Sequence, residues 1–94
     1  MILDSNRPIN ADDARAFAAT VLMKIGVPKP HAEIVAGSLI EADLRGIETH
    51  GLIRLPEYVQ RVRQGGVAAA VEPRIIHEKG PVVCLDGQNG FGQV

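Results

Sequence analysis

Thr49, His50, Arg54 and Tyr58 put a hydroxyl, an imidazole, a guanidinium and a phenol into one stretch, D-L-R-G-I-E-T-H-G-L-I-R-L-P-E-Y-V-Q-R-V from Asp43 to Val62. If the segment from His50 onward is helical, the 3.6-residue period sets His50, Arg54 and Tyr58 on one face. A proton donor, a carboxylate clamp and a phenolic hydrogen-bonder aligned in this way suit a site acting on a small organic acid. The same spacing also describes a solvated helix face, so the chemistry depends on what positions these groups.

Pro56 interrupts the segment. It lacks the amide that would bond to the Leu52 carbonyl, and its ring crowds that carbonyl. Either the helix kinks there, or a helix proper starts near Pro56 after a turn at His50-Gly51. In the second case His50 and Arg54 lie at the helix mouth, where free amides and the positive dipole end suit an anion. Arg61 and Arg63 at the far end are explained by the dipole and by solvation, and Gly65-Gly66 ends the helix. Arg45 reads as structural, within reach of Asp43 or Glu48.

Two helices precede this segment. Asn10 can cap the first, with Asp13 at the capping-box position. Ala14, Phe17, Ala18, Val21, Leu22 and Ile25 recur at the spacing of one buried stripe, and Gly26 stands at a left-handed C-cap. Pro30 suits the first position of the second helix, which carries Ile34, Val35, Leu39 and Ala42 and should stop near Gly46. His31 is expected to be solvated.

From Pro73 the period changes. Arg74-Ile75-Ile76-His77-Glu78 and Val82-Val83-Cys84-Leu85, around Lys79-Gly80-Pro81, predict two strands and a tight turn. His77 reads as an edge residue and Cys84 as packed. The alanines of Val67 to Pro73 are ambiguous. The glycines Gly87, Gly90 and Gly92 are spaced G-x-x-G-x-G, the reverse of the dinucleotide fingerprint, and no Gly-Lys-Ser/Thr follows as in a phosphate loop. The segment reads as a flexible connector.

Composition narrows the function classes. The 94 residues carry ten Lys and Arg against eleven Asp and Glu, a formal charge of -1, with 3% aromatics. No basic or base-stacking footprint points to nucleic acid, and no apolar run suggests a membrane span. One cysteine permits no internal disulfide, and the opening M-I-L-D-S-N-R-P has no charged segment leading into an apolar core, so the default expectation is a cytoplasmic setting. His31, His50, His77 and Cys84 lack paired metal-ligand spacing, so no metal is expected. A chain of this size buries only roughly 60 to 65% of its unfolded surface, enough for one small core. The fold class expected is α+β: a helical region over 1–66, then a linker, two short strands and a Gly-rich end over 67–94.

The block L-R-G-I-E-T-H-G-L-I-R-L-P-E-Y-V, followed by Gly65-Gly66, Pro73 and D-G-Q-N-G-F-G-Q, resembles the amino-terminal part of the type-2 malate/L-lactate dehydrogenase family. That family includes ureidoglycolate and sulfolactate dehydrogenases and cyclic imino-acid reductases. The resemblance covers nearly the whole chain, but family members are several times longer, so it implies an amino-terminal fragment that is inactive alone. It further implies hydride transfer between NAD or NADP, held on a non-Rossmann fold that the hairpin would begin, and a 2-oxo acid, 2-hydroxy acid or cyclic imine. A homodimer is implied for the full-length protein.

Carried over by position, the family's Ser-His-Gly is Thr49-His50-Gly51. His50 inherits proton transfer to the substrate, Thr49 the neighbouring hydroxyl, and Arg54 the substrate carboxylate. The extra methyl of Thr49 bears on substrate fit. Tyr58 is a candidate for the pocket wall or for packing against the second helix. The cofactor-gripping residues are not assignable within the chain. A helical interaction module without catalysis is the competing reading, favoured if apolar helix faces stand uncovered.

Overall fold

The computed structural model describes residues 9–94; the opening Met1–Pro8, read above for a leader, lies outside them. Helix α1 spans Ala11–Lys24 and α2 spans Lys29–Leu44. Two 3-10 turns follow, Glu48–His50 and Leu52–Arg54, and the second runs directly into α3, Leu55–Arg63. Strands β1, Arg74–Lys79, and β2, Val82–Asp86, form an antiparallel hairpin. The architecture is the expected α+β order of three helices and a hairpin.

Local chemistry sets the ends of these elements. The Asn10 side chain accepts from the Asp12 and Asp13 amides at 2.8 and 3.3 Å, satisfying donors that have no partner within the helix. Gly26, at φ +100°, turns the chain out of α1 in the left-handed region that glycine enters without strain. Pro30 lies in the first turn of α2, and Pro56 in the first turn of α3, where a missing amide costs no intrahelical bond. Pro56 therefore starts a helix here and does not kink one.

The core is the interface of α1 and α2, extended by Val27 and by Leu52 and Leu55 from the site segment. Ala14, Ala18 and Ala19 face Ala32 and Ala36, and these small side chains let the helices approach closely around Leu22, Val35, Leu39 and Ile40. Leu52 and Leu55 are 6% and 5% exposed, and burying each stabilises by about 1.5–3 kcal/mol, which pins the segment after His50 to the core.

Several expectations fail for tertiary reasons. Phe17, read into the buried stripe of α1, is 59% exposed, because α2 covers the alanine side of that stripe and leaves the phenylalanine facing outward. Ile34 is likewise exposed at the edge of the α2 face. Cys84 is exposed, not packed, since nothing among the described residues covers either face of the hairpin. His31, expected to be solvated, is buried: its ring sits in the first turn of α2 with Nε2 2.7 Å from Glu72 Oε1, a residue 41 positions on.

The Gly-rich end is hydrogen-bonded to the linker and does not stand apart from it. Asn89 donates to the Gly66 carbonyl at 3.0 Å and its own carbonyl accepts from the Ala68 amide at 2.8 Å, while Gln88 donates to the Glu72 carbonyl. A side chain on Gly90 would strike Val71, so this glycine permits a close approach. Ala69 and Phe91 pack against the core from these segments.

Candidate active site

The site residues come from the two 3-10 turns between α2 and α3. Gly51, at φ -96° and ψ -151°, is extended and separates the turns, so no continuous helix runs from His50. His50 consequently does not share a helical face with Arg54 and Tyr58. It projects from an exposed turn that the buried Leu52 anchors from beneath.

Backbone folding brings Thr49, His50 and Arg54 together. Thr49 Oγ1 lies 2.9 Å from His50 Nδ1, which leaves Nε2 as the outward ring nitrogen. Arg54 folds back and donates its Nε hydrogen to the Thr49 carbonyl at 2.6 Å. Arg54 Nη1 donates to Glu57 Oε2 at 3.0 Å, and Arg61 donates to the other Glu57 oxygen at 2.5 Å. The Arg54 guanidinium hydrogen-bonded to it, with the charge of Arg61 beside it, holds the Glu57 carboxyl below the usual glutamate range.

Tyr58 is drawn elsewhere. Its ring centroid is 5.5 Å from that of Phe91, and its hydroxyl accepts from Gln93 Nε2 at 3.2 Å. Its aromatic partner is thus at the end of the chain, and the ring also packs against the core that α1 and α2 share with Leu52 and Leu55. The helix mouth at Leu52 is also not open to an anion: Asp43 Oδ2 already accepts the Leu52 amide hydrogen at 2.8 Å. Arg45 pairs with Glu41 one turn back, at 2.8 Å, and with neither Asp43 nor Glu48.

Asp43, Glu57 and Gln93 were not singled out by sequence. The positions of Glu57, three after Arg54 and four before Arg61, carry a legible signal, since such spacings meet on a helix surface. Asp43 and Gln93 carry none, because their partners lie across loops. An open groove of about 630 Å³, lined by Phe17, Val21, Leu55, Pro56 and Val59 with α3 polar residues, contains neither His50 nor Arg54 and offers apolar surface with no proton-transfer group.

Chemically, the turn offers a hydroxyl-supported imidazole and a guanidinium tied to the backbone of the same loop. The Gly-rich end spends its close backbone approach on Val71 and its polar groups on the linker. Among the described residues there is no group of three or more His, Cys, Asp or Glu side chains that could hold a metal, and no helix long and apolar enough to cross a membrane.

Comparison with known proteins identifies the family. The sequence profile of the malate/L-lactate dehydrogenase family matches residues 9–94. A malate dehydrogenase of Pyrococcus abyssi is 46% identical over 86 residues, 92% of this chain and 24% of that protein. An L-sulfolactate dehydrogenase of Methanocaldococcus jannaschii is 31% identical over 92% of this chain and 25% of its own length. Among solved structures, malate dehydrogenase from Entamoeba histolytica superposes with a TM-score of 0.90 at 38% identity, over 94% of this chain and 25% of that one. Malate dehydrogenase from Pyrococcus horikoshii gives 0.88 at 40% identity, over 99% of this chain and 27% of its own. The chain thus spans about a quarter of the length of the relatives it matches. A profile match over residues 9–94, together with a shared backbone at these identities, establishes that this chain belongs to the malate/L-lactate dehydrogenase family and corresponds to its amino-terminal quarter.

Proposed function

We propose that this segment supplies the proton-transfer and carboxylate-binding groups of a dehydrogenase that interconverts a 2-oxo acid, or a cyclic imine, and its reduced form. The observation that carries the reading is the Thr49-His50 pair at 2.9 Å with Arg54 tied to the same loop. Malate and sulfolactate, the acids named for the relatives, both carry a carboxylate beside a carbinol carbon, the combination these groups would meet.

In reduction, negative charge builds on the substrate oxygen as hydride reaches the carbonyl carbon. His50 Nε2 donates the proton to that oxygen, contributing typically 10² to 10⁴ in rate. In the reverse direction the same nitrogen removes the hydroxyl proton. The Thr49 hydroxyl can donate to Nδ1 or accept from it, so it keeps a partner in either ring state. Arg54 binds the substrate carboxylate through its fork, fixing which carbonyl face is presented. Glu57 must give up Arg54 Nη1 for two parallel bonds to form, and Arg61 keeps its charge partnered when it does.

A bound nicotinamide cofactor, NAD or NADP, supplies the hydride. We place its grip in the remainder of the full-length protein, since the chain spans about a quarter of the length of the relatives it matches. In this reading residues up to Gly66 form the substrate-side unit, and 67–94 open the sheet domain. Exposed Ile75, Ile76, Val82, Val83 and Leu85 then await cover from the rest of a full-length, cytoplasmic homodimer. A free-standing interaction module would expose similar faces, but it gives no reason for a histidine held by a hydroxyl beside a tethered arginine. Steady-state kinetics of His50→Asn in the full-length enzyme decides the assignment: a loss in kcat/KM of at least about 10² with normal folding supports it, and retention of more than half the activity removes His50 from the chemistry.

A further inference from the structure

The carboxylate of Asp43 stands at the wrong end of its own helix and the right end of the next. In the last turn of α2 a negative side chain opposes the helix dipole, and a lysine or arginine would be the stabilising choice there. Half-buried, Asp43 instead reaches across to the start of the helical run Leu52–Arg63, where its Oδ2 accepts the Leu52 amide hydrogen at 2.8 Å. At that end the dipole favours an anion and the amide has no intrahelical partner.

A second observation concerns Gly51. Its backbone is extended, a conformation open to other residues, so the dihedral angles do not demand glycine. What demands it is space: a Cβ at this position would fall on the Asp43 carboxyl atoms. The carboxylate and the missing side chain are two halves of one contact, directly after His50. On the other side of His50, Arg54 holds the Thr49 carbonyl at 2.6 Å.

Building on the reading of His50 as the proton-transfer group, we propose that Asp43 is the positioning residue that aims the His50 imidazole, by clamping the Gly51-Leu52 backbone against the end of α2. Asp43 touches neither substrate nor cofactor in this arrangement. It acts through the turn, keeping Nε2 at the distance and angle that proton transfer needs.

The test uses the full-length enzyme with Asp43→Ala, Asp43→Asn, Gly51→Ala and the double variant Asp43→Ala/Gly51→Ala. Each is read by kcat and KM separately and by ¹H–¹⁵N spectra of the His50 ring and the Leu52 amide. Asp43→Ala is expected to lower kcat by about tenfold to a hundredfold, the scale of a small misplacement of a catalytic group, while KM stays within threefold. It should also shift the His50 ring and Leu52 amide signals. Asp43→Asn keeps an acceptor oxygen and should restore kcat to within about threefold of wild type. Gly51→Ala should match the damage of Asp43→Ala, and the double variant should be no worse than Asp43→Ala alone, because the clash is gone once the carboxylate is removed. Unmoved His50 and Leu52 signals, a kcat unchanged in Asp43→Ala, or Asp43→Asn as damaged as Asp43→Ala would each overturn the proposal. The spectra keep this separate from the function: if His50→Asn left activity intact, the proton-transfer role would fall while the ring signals still reported whether Asp43 aims the imidazole.

Discussion

Arg54 donates its Nε hydrogen to the carbonyl oxygen of Thr49 at 2.6 Å, so the proposed carboxylate-binding residue also closes the turn that presents His50. One side chain thereby couples the two halves of the site. Any substitution of Arg54 disturbs both the fork offered to a carboxylate and the backbone beside the imidazole.

Arg54→Lys in the full-length enzyme is accordingly expected to raise KM for the acid substrate and lower kcat as well. A lysine offers a point charge in place of a planar fork, and it has no Nε–H at the position that reaches Thr49. Steady-state kinetics checks this; values within twofold of wild type would remove Arg54 from the site.

Glu57 competes with substrate for Arg54. Glu57→Gln should lower KM for the acid by a factor of about 1.5 to 5, the scale of one exposed ion pair, with kcat nearly unchanged. An increase in KM would show that Glu57 orients the guanidinium and does not compete for it.

The same carboxylate gives a pH test. Arg54 and Arg61 hold Glu57 below its usual range, so its folded-state proton affinity is weaker than in the unfolded chain. The stabilising contribution is then fully present above the ordinary glutamate value and is lost as pH falls through the lowered one. A ¹³C carboxyl titration of wild type should place the Glu57 midpoint below that of an isolated glutamate, and Arg54→Gln should move it upward. A midpoint insensitive to Arg54→Gln contradicts the pairing.

His31 makes a prediction about stability and not about chemistry. The residue is 7% exposed and its ring is bonded to Glu72, which joins α2 to the linker ahead of the hairpin. His31→Ala should destabilise by about 1–3 kcal/mol, through the lost contact and the space left behind, with kcat of the folded enzyme unaltered. Thermal unfolding against wild type measures it; an unchanged Tm would mean the contact contributes nothing.

Residues 1–94 expressed alone should show no turnover of any 2-oxo acid with NADH or NADPH, because they span about a quarter of the length of the relatives they match and the proposed cofactor grip lies in the remainder. Activity in a preparation free of the host's own dehydrogenases would refute the placement of the cofactor grip elsewhere.

The sequence by itself determined the features that rest on neighbours within a turn or two. Asn10 caps α1, Gly26 and Gly46 end helices in the left-handed region, Pro56 starts α3, and Gly80-Pro81 closes the hairpin, because capping, dihedral freedom and the missing proline amide act within four residues. It also carried the Thr49-His50-Gly51 and Arg54 motif. Tertiary structure decided which side of each element is covered and which polar groups find each other. Phe17 is exposed and His31 buried because coverage comes from α2 and from a linker some forty residues away, beyond the reach of any local period. Tyr58 meets Phe91 and Gln93, and Asp43 meets Gly51 and Leu52, across loops whose path only the packed core of α1 and α2 fixes. A periodic pattern specifies a face, but the partner of that face is chosen when the chain closes on itself, and for Asp43 that closure turns a misplaced helix-end acid into the cap of the next helix.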